Sequence, residues 1–70
     1  MSATTVRLWE VGGTNKAYLF STTPKDGRDG RQLWIPRSVI EHVHREPPEV
    51  GQWRECHVKL PDWLIEKEGL

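Results

Sequence analysis

The sequence contains a single cysteine, Cys56, so no disulfide can form within the chain. A short chain without disulfides is typical of a reducing compartment, and we therefore expect a cytoplasmic protein. No apolar run approaches the roughly 18 residues needed to cross a bilayer, and the first five residues are mostly polar. The sequence predicts neither a signal peptide nor a membrane anchor.

The chain also lacks net charge, because ten Lys and Arg residues balance ten Asp and Glu residues. Such a balance creates no overall field of the kind that draws proteins onto DNA or anionic lipid. The two signs are unevenly distributed. Residues 1–40 carry six basic and three acidic residues, whereas residues 41–70 carry four and seven. The pattern predicts that one side of the molecule is mildly basic.

Apolar residues make up only 36% of the chain, but four of them are tryptophans. Residues 1–70 are long enough for one domain, and a domain of this size hides only about 60% of the surface that its unfolded chain exposes. Each tryptophan can remove on the order of 150–250 Å² from water. Some of the four, Trp9, Trp34, Trp53 and Trp63, must therefore belong to the core.

Alternation of side chains predicts about four antiparallel strands. They cover Thr4–Val11, Lys16–Thr22, Arg31–Ile35 and a segment from Gln52 or Trp53 to Leu60. In the second strand Tyr18 and Phe20 share a face, and in the fourth the core face carries Cys56, Val58 and Leu60.

The connections between these strands have typical turn residues. Two Asp-Gly steps between Pro24 and Gly30 predict a hairpin tip whose glycines adopt positive φ. Ser38 is expected to cap a single turn that runs through Val43, and His44–Gly51 contains Pro47-Pro48, which predicts an exposed loop.

The last residues predict a helix of about two turns. Pro61 suits its first position, Asp62 its positive N-terminus, and Gly69 the left-handed residue that ends it. Leu70 would then close a Schellman cap. The sequence as a whole predicts a β-rich α+β domain, either a small antiparallel sheet or an SH3-like or OB-like barrel, with a short C-terminal helix.

Three segments resemble a family of short phage and bacterial proteins that has no assigned function. They are a Lys-Ala-hydrophobic strand at Lys16–Leu19, a Trp-Ile-Pro-basic-Ser motif within Leu33–Ser38, and a closing Trp-Leu…Lys-x-Gly-Leu helix within Leu60–Leu70. The resemblance implies a phage or mobile-element origin and a bacterial host. The chain departs from that family in its Asp-Gly hairpin and between His42 and Glu55, so we expect any specialised role there.

The sequence offers little support for catalysis or cofactors. His57 follows Cys56 on a strand and therefore points to the opposite face, although His42 or His44 remains open as a base reached through space. The same histidines and thiol lack the paired spacing of zinc ligands. We expect no enzyme activity, no metal site and no cofactor.

Nucleic-acid binding is one of two functional hypotheses. Exposed aromatic rings on a barrel face would stack on the bases of a single strand, and nearby basic residues would contact its phosphates. The candidate residues are Trp34, Tyr18, Phe20, Lys16 and Arg37. The zero net charge argues against this hypothesis, and the same aromatic residues would equally serve as core.

Protein binding is the hypothesis that the sequence favours, because it requires no excess charge and suits a small domain with large apolar residues on both faces. Arginine and tryptophan are the residues that most often dominate such interfaces. The candidate residues are Lys25, Arg28, Arg31, Trp53 and Arg54. We expect a phage-type accessory protein that binds its partner stoichiometrically. By analogy of size and origin alone, this suggests an inhibitor of a host nucleic-acid-handling or defence complex, such as an anti-CRISPR protein.

Overall fold

The structure is a computed structural model that describes residues 2–70. Over these residues the chain forms five strands, a 3-10 turn and one helix. The elements are β1 (Ala3–Gly13), β2 (Ala17–Ser21), β3 (Gln32–Pro36), the 3-10 turn (Arg37–Val39), β4 (His42–Arg45), β5 (Arg54–Pro61) and α1 (Asp62–Glu68).

The strands form one antiparallel sheet in the order β3-β2-β1-β5-β4. The long central strand β1 pairs with β5 along one edge and with β2 along the other, and its register with β2 shifts between Glu10 and Gly12. Within residues 2–70, β3 and β4 do not pair with each other, so the sheet does not close into a barrel. The predicted β-rich fold with an antiparallel sheet and a C-terminal helix is confirmed, and the barrel alternative is wrong.

Strand β4 was not predicted from the sequence, and the predicted fourth strand corresponds to β5. The segment expected to continue the turn after Ser38 and then to enter an exposed loop instead forms β4, in which Val43 pairs with Val58 and His44 pairs with His57. Backbone pairing with β5 decides this conformation, because four residues carry too little alternation to indicate a strand by themselves.

The hydrophobic core lies on the inner face of the sheet. Residues that are paired across strands share a face, which places Leu8 beside Cys56 and Phe20 beside Leu33. Helix α1 contributes Leu64, which is only 7% exposed. The buried members of the core are Leu8, Tyr18, Phe20, Leu33, Ile35, Cys56, Val58, Leu60 and Leu64.

The four tryptophans contribute differently to the fold. Trp34 is 57% exposed and Trp63 is 51% exposed, so the helix docks through Leu64 and not through its tryptophan. Trp53 is half-buried. Trp9 is almost completely buried, yet strand alternation places it on the outer face, opposite the core residue Leu8. Only Trp9 therefore confirms the expectation of a buried tryptophan, and it does so outside the main core.

Polar side chains link the two unpaired edges of the sheet, β3 and β4, across its inner face. The Tyr18 hydroxyl accepts hydrogen bonds from Arg37 Nη1 at 2.7 Å and from Arg45 Nη2 at 3.0 Å. Arg37 follows β3 and Arg45 ends β4, so one phenol joins residues from both unpaired edges. The hydrogen bond that Arg45 Nε donates to Glu10 Oε1, at 2.8 Å, raises the pKa of this arginine and keeps it charged.

Helix α1 is fixed at both ends. Its first backbone amide, at Asp62, donates to the Ser2 carbonyl at 3.1 Å, and hydrogen bonds from the Ser2 and Thr4 hydroxyls lower the pKa of the Asp62 carboxyl. At the other end Gly69 has φ +70°, and the Leu70 amide donates to the Ile65 carbonyl at 2.9 Å. The predicted Schellman cap is confirmed. Pro61 precedes the helix as its N-cap and is not its first residue.

The C-terminal cap is expected to contribute measurably to stability. Gly69→Ala should lower the free energy of unfolding by about 1 kcal/mol, because a side chain at this φ is strained. Deleting Gly69 and Leu70 should lower it by about 1–2 kcal/mol. Thermal melts would show these losses as decreases in Tm of roughly 4–8 °C per kcal/mol.

Gly12→Ala is the matched control for the cap variant. No positive φ occurs at Gly12, and an added Cβ there would meet no atom within 4 Å. Equal melting temperatures for the Gly69 and Gly12 variants would contradict a stabilising role for the cap.

Candidate functional site

Two long loops, residues 22–31 and residues 46–53, meet residues of the outer face of the sheet at one cleft. The first connects β2 to β3 and is closed at its base, where the Thr22 amide donates to the Arg31 carbonyl at 3.0 Å and the Arg31 amide donates to Thr22 Oγ1 at 3.1 Å. Its glycines pack against Thr23, since a Cβ at Gly27 would lie 2.7 Å from Thr23 Cβ and one at Gly30 would overlap the Thr23 side chain.

The sequence correctly predicted a turn at these glycines, but it wrongly predicted that they adopt positive φ. In this loop the positive φ belongs to Asp29, at 61°, and not to either glycine. Close approach to Thr23 requires glycine here, because there is no room for a Cβ.

The second loop connects β4 to β5 and is also fixed at its base. The Glu46 amide donates to the Glu55 carbonyl at 2.9 Å, and Arg54 Nε donates to the Glu46 carbonyl at 3.0 Å. A turn at Gly51, with φ +80°, brings the Gln52 amide to within 3.1 Å of the Glu49 carbonyl. Both loops thus have defined bases held by the sheet.

The two loops enclose a cleft of about 380 Å³ above the outer face. Arg7, Trp9 and Glu55 form its floor on β1 and β5. The loop 22–31 supplies Pro24 and Asp26 to one wall. The opposite wall comes from the loop 46–53 through Glu46, Pro47, Glu49, Gln52 and Trp53. The volume lies within the range of roughly 300–1,000 Å³ that is typical of ligand clefts.

The cleft is acidic and aromatic. Four of the residues that line it are acidic, namely Asp26, Glu46, Glu49 and Glu55, and Arg7 is the basic one. Two indole rings, those of Trp9 and Trp53, lie among these charges. An isolated negative region in a chain with zero net charge is a local property that composition does not reveal.

A pair of histidines adjoins the cleft at Glu46. His44 Nε2 lies 3.3 Å from Glu46 Oε1, and His57 Nε2 lies 3.2 Å from the same oxygen. Cross-strand pairing of β4 with β5 places the two rings side by side on the outer face. In residues 2–70, no group of three or more His, Cys, Asp or Glu side chains has the geometry to hold a metal ion.

The residues predicted to bind a protein partner occupy different environments. Trp53 lies in the cleft, and Lys25 and Arg28 are exposed on the loop 22–31. Arg31 is instead paired with Glu68 of α1, with Nη1 3.3 Å from Oε1. Arg54 is exposed but donates to the base of its own loop. The structure thus leaves Lys25, Arg28 and Trp53 available for contact and gives Arg31 and Arg54 structural bonds.

The residues predicted to bind nucleic acid are not brought together on one surface. Tyr18 and Phe20 are 8% and 0% exposed, with their rings packed in the inner core, so neither ring face can stack on a base. Arg37 is committed to Tyr18 and to the Thr14 carbonyl, to which its Nη2 donates at 2.8 Å. Trp34 lies on the opposite face of the sheet from Tyr18, and Lys16 is exposed. The stacking platform expected from the sequence therefore does not form.

Cys56 lies in the inner core and is 0% exposed. Burial raises the pKa of its thiol, and the neighbouring Glu10 carboxylate adds to this effect. His57 lies on the other face of the sheet, as strand alternation predicts. His42 and His44 are also on that outer face, as their pairing with Lys59 and His57 shows, so none of the three histidines is placed to act as a base for this thiol.

Sequence reasoning did not select the acidic side chains of the cleft. Asp26, Glu46 and Glu49 are scattered along the chain between turn residues, and no spacing between them indicates a common site. The sequence did contain a signal for Trp9 as a residue of the outer face. Trp9 follows Leu8 in an alternating strand, which places its large ring on the face away from the core.

Comparisons of the chain with protein-family models, with curated proteins and with solved structures found no match. The resemblance to short phage and bacterial proteins therefore stays a prediction. Within residues 2–70, the helix of the structure is too short and too polar to cross a membrane.

The buried thiol predicts a specific dependence of stability on pH. The unfolded chain releases the Cys56 proton above about pH 8.5, whereas the folded chain retains it to a higher pH. The free energy of unfolding should therefore fall as pH rises past this value, by up to about 1.4 kcal/mol per pH unit. Denaturant titrations of the wild type between pH 7 and pH 10 would measure this slope.

Cys56→Ala is the control for this slope. The variant should be less stable at pH 7 by roughly 1 kcal/mol, because it leaves a small cavity, but it should lack the alkaline loss that the thiol causes. Thiol reagents should also label the native wild type about 10²–10³ times more slowly than the unfolded chain. Identical alkaline slopes for both proteins would contradict a thiol that stays protonated in the fold.

Proposed function

We propose that this protein acts by binding another protein stoichiometrically, without catalysing a reaction, through the cleft between the loops 22–31 and 46–53. The observation that carries the proposal is the convergence of these loops around Trp53. Both were selected from the sequence as recognition segments, and they form opposite walls of one cleft. Loops held by a rigid sheet are where recognition residues most often lie.

The bases of the two loops support binding by a preformed surface. Hydrogen bonds fix the loop 22–31 at Thr22 and Arg31 and the loop 46–53 at Glu46 and Arg54. A surface that is ordered before binding loses less conformational entropy when the partner docks. The partner would therefore meet a cleft that is largely in place.

Two residues are expected to dominate the contact. Trp53 presents a half-buried ring within the cleft, and Arg28 extends from the neighbouring loop into solvent. Half-buried tryptophans and exposed arginines become interface hot spots because they bury a large area or form charged hydrogen bonds on docking. The resemblance to phage proteins suggests a host complex that handles nucleic acid as the class of partner, with occlusion or bridging as the mode of action.

The proposal predicts that the retention of a partner depends on the cleft. Wild-type protein, immobilised and exposed to nuclease-treated bacterial lysate, should retain a protein that Trp53→Ala and Arg28→Glu baits lose. With the purified partner, Trp53→Ala should weaken binding by about 30-fold or more, and Arg28→Glu by about tenfold. Titration calorimetry would give both affinities and the stoichiometry.

Two variants on α1 serve as controls, since Trp63→Ala removes an exposed ring and Lys67→Glu reverses an exposed charge away from the cleft. Both should bind like the wild type. Arg31 is not a suitable test residue, because its reversal would repel Glu68 and disturb the helix.

A protein retained equally by all five baits would contradict the proposal. So would a single-stranded oligonucleotide whose salt-dependent binding is lost in Trp34→Ala and Lys16→Glu but is kept in Trp53→Ala, because it would indicate a nucleic-acid surface elsewhere on the sheet.

A further inference from the structure

The cleft contains acidic groups that the protein itself does not neutralise. No ion pair among residues 2–70 engages Asp26 or Glu49. Among the ion pairs of residues 2–70, the Glu46 carboxylate meets the two histidines, and the Glu55 carboxylate meets His57 and, more distantly, Arg7. A partner that brings positive charge into this cleft would gain attraction from all four carboxylates, and a negatively charged partner would be repelled.

Arg7 already shows how the floor of the cleft accommodates a guanidinium. Its Cζ lies 5.1 Å from the centre of the Trp9 ring, and its Nη1 lies 3.9 Å from Glu55 Oε2. This combination of an aromatic face and a carboxylate is a favourable environment for arginine. The Arg7 side chain is 60% exposed and lies against Trp9, whereas no cation–π contact to Trp53 occurs among residues 2–70.

Gln52 adds an unsatisfied acceptor beside the same wall. Its side chain contributes to the lining of the cleft, yet within the described chain its Oε1 is buried and accepts no hydrogen bond. A buried acceptor without a donor is unfavourable, and a ligand whose N–H groups reached this oxygen would remove that cost.

We infer that the cleft binds an arginine side chain of the partner protein, with its guanidinium on the ring of Trp53 and its N–H groups directed at Glu49 and Asp26. This inference rests on the proposed function and specifies the chemistry of the partner. Arginine fits better than lysine, because its planar group stacks on an indole and donates to two carboxylates at once. An organic cation fits better than a metal ion, because the described residues hold no cluster with metal-binding geometry.

The test uses the indole N–H signals of the four tryptophans, resolved by ¹H–¹⁵N NMR, as reporters of position. The probe is the blocked pentapeptide acetyl-Gly-Gly-Arg-Gly-Gly-amide. It should shift the Trp53 and Trp9 signals in a saturable manner, with a Kd on the order of 1 mM for one side chain. The exposed Trp34 and Trp63 should remain unchanged.

Two matched peptides separate charge from shape. Replacing the arginine by citrulline keeps the planar group but removes its charge, and the peptide should bind at least about tenfold more weakly. A lysine peptide should bind more weakly than the arginine peptide, since it keeps the charge without the planar donor pair.

The variants Asp26→Asn and Glu49→Gln remove charge from unpaired carboxylates with little change in shape. Each should weaken binding of the arginine peptide by about threefold to tenfold. Glu66→Gln, at an exposed position on α1, is the control and should have no effect. Equal binding of the citrulline peptide, unchanged binding to both cleft variants, or parallel shifts of all four indoles would overturn the inference.

The two proposals can fail separately. If a captured protein depends on Trp53 but is indifferent to Asp26→Asn and Glu49→Gln, and the arginine peptide does not bind, protein binding stands and the arginine inference is wrong. If the arginine peptide binds the cleft while no protein depends on Trp53 for retention, the proposed function is wrong and the side-chain site remains.

Discussion

The burial of Trp9 on the outer face of the sheet is the constraint on which the two long loops depend. One helix packed on a single five-stranded sheet covers only the inner face, and strand alternation places Trp9 on the outer face. An indole in solvent would forgo a large hydrophobic gain in a small domain. Trp9 is nevertheless only 9% exposed: the Arg7 guanidinium lies over its ring, and residues of both loops line the same cleft as Trp9. The cleft therefore lies beside a ring that is already largely covered.

Side chains, and not strand pairing, span the open edge of the inner face. The edges β3 and β4 do not pair, and the opening between them is spanned at one end by the bonds of Arg37 and Arg45 to the Tyr18 hydroxyl. A hydrogen-bonded strand ladder would have closed the barrel and satisfied the same region with backbone groups. Here side chains do so, and Glu10 balances the charge of Arg45 close to the core.

These two features distinguish the inner face from the outer one. The inner core, its polar end and the capped helix hold the chain together on one side of the sheet. The outer cleft has an excess of carboxylates, of which Asp26 and Glu49 enter no ion pair among residues 2–70, and a half-buried Trp53. Groups that do not contribute to folding and that converge on one surface are the natural candidates for recognition.

The sequence by itself determined the elements whose signals are local. Alternation identified β1, β2, β3 and β5 and the core face of Cys56, and Gly69 with Leu70 identified the helix cap, because these depend on φ preferences and on neighbours along the chain. It also selected the two loops, and Trp53 within them.

Only the tertiary structure decided the rest. Strand β4 exists because β5 offers it a partner, and the barrel stays open because β3 and β4 are not brought into register. Arg31 and Arg54 form bonds within the fold that the sequence did not indicate. Arg31 pairs with Glu68, which is distant in sequence, and Arg54 donates to the Glu46 carbonyl of a folded loop. The acidic cleft joins Asp26 to Glu49 across a span of the chain that no local pattern connects, since only the pairing of β1 with both β2 and β5 brings their loops together.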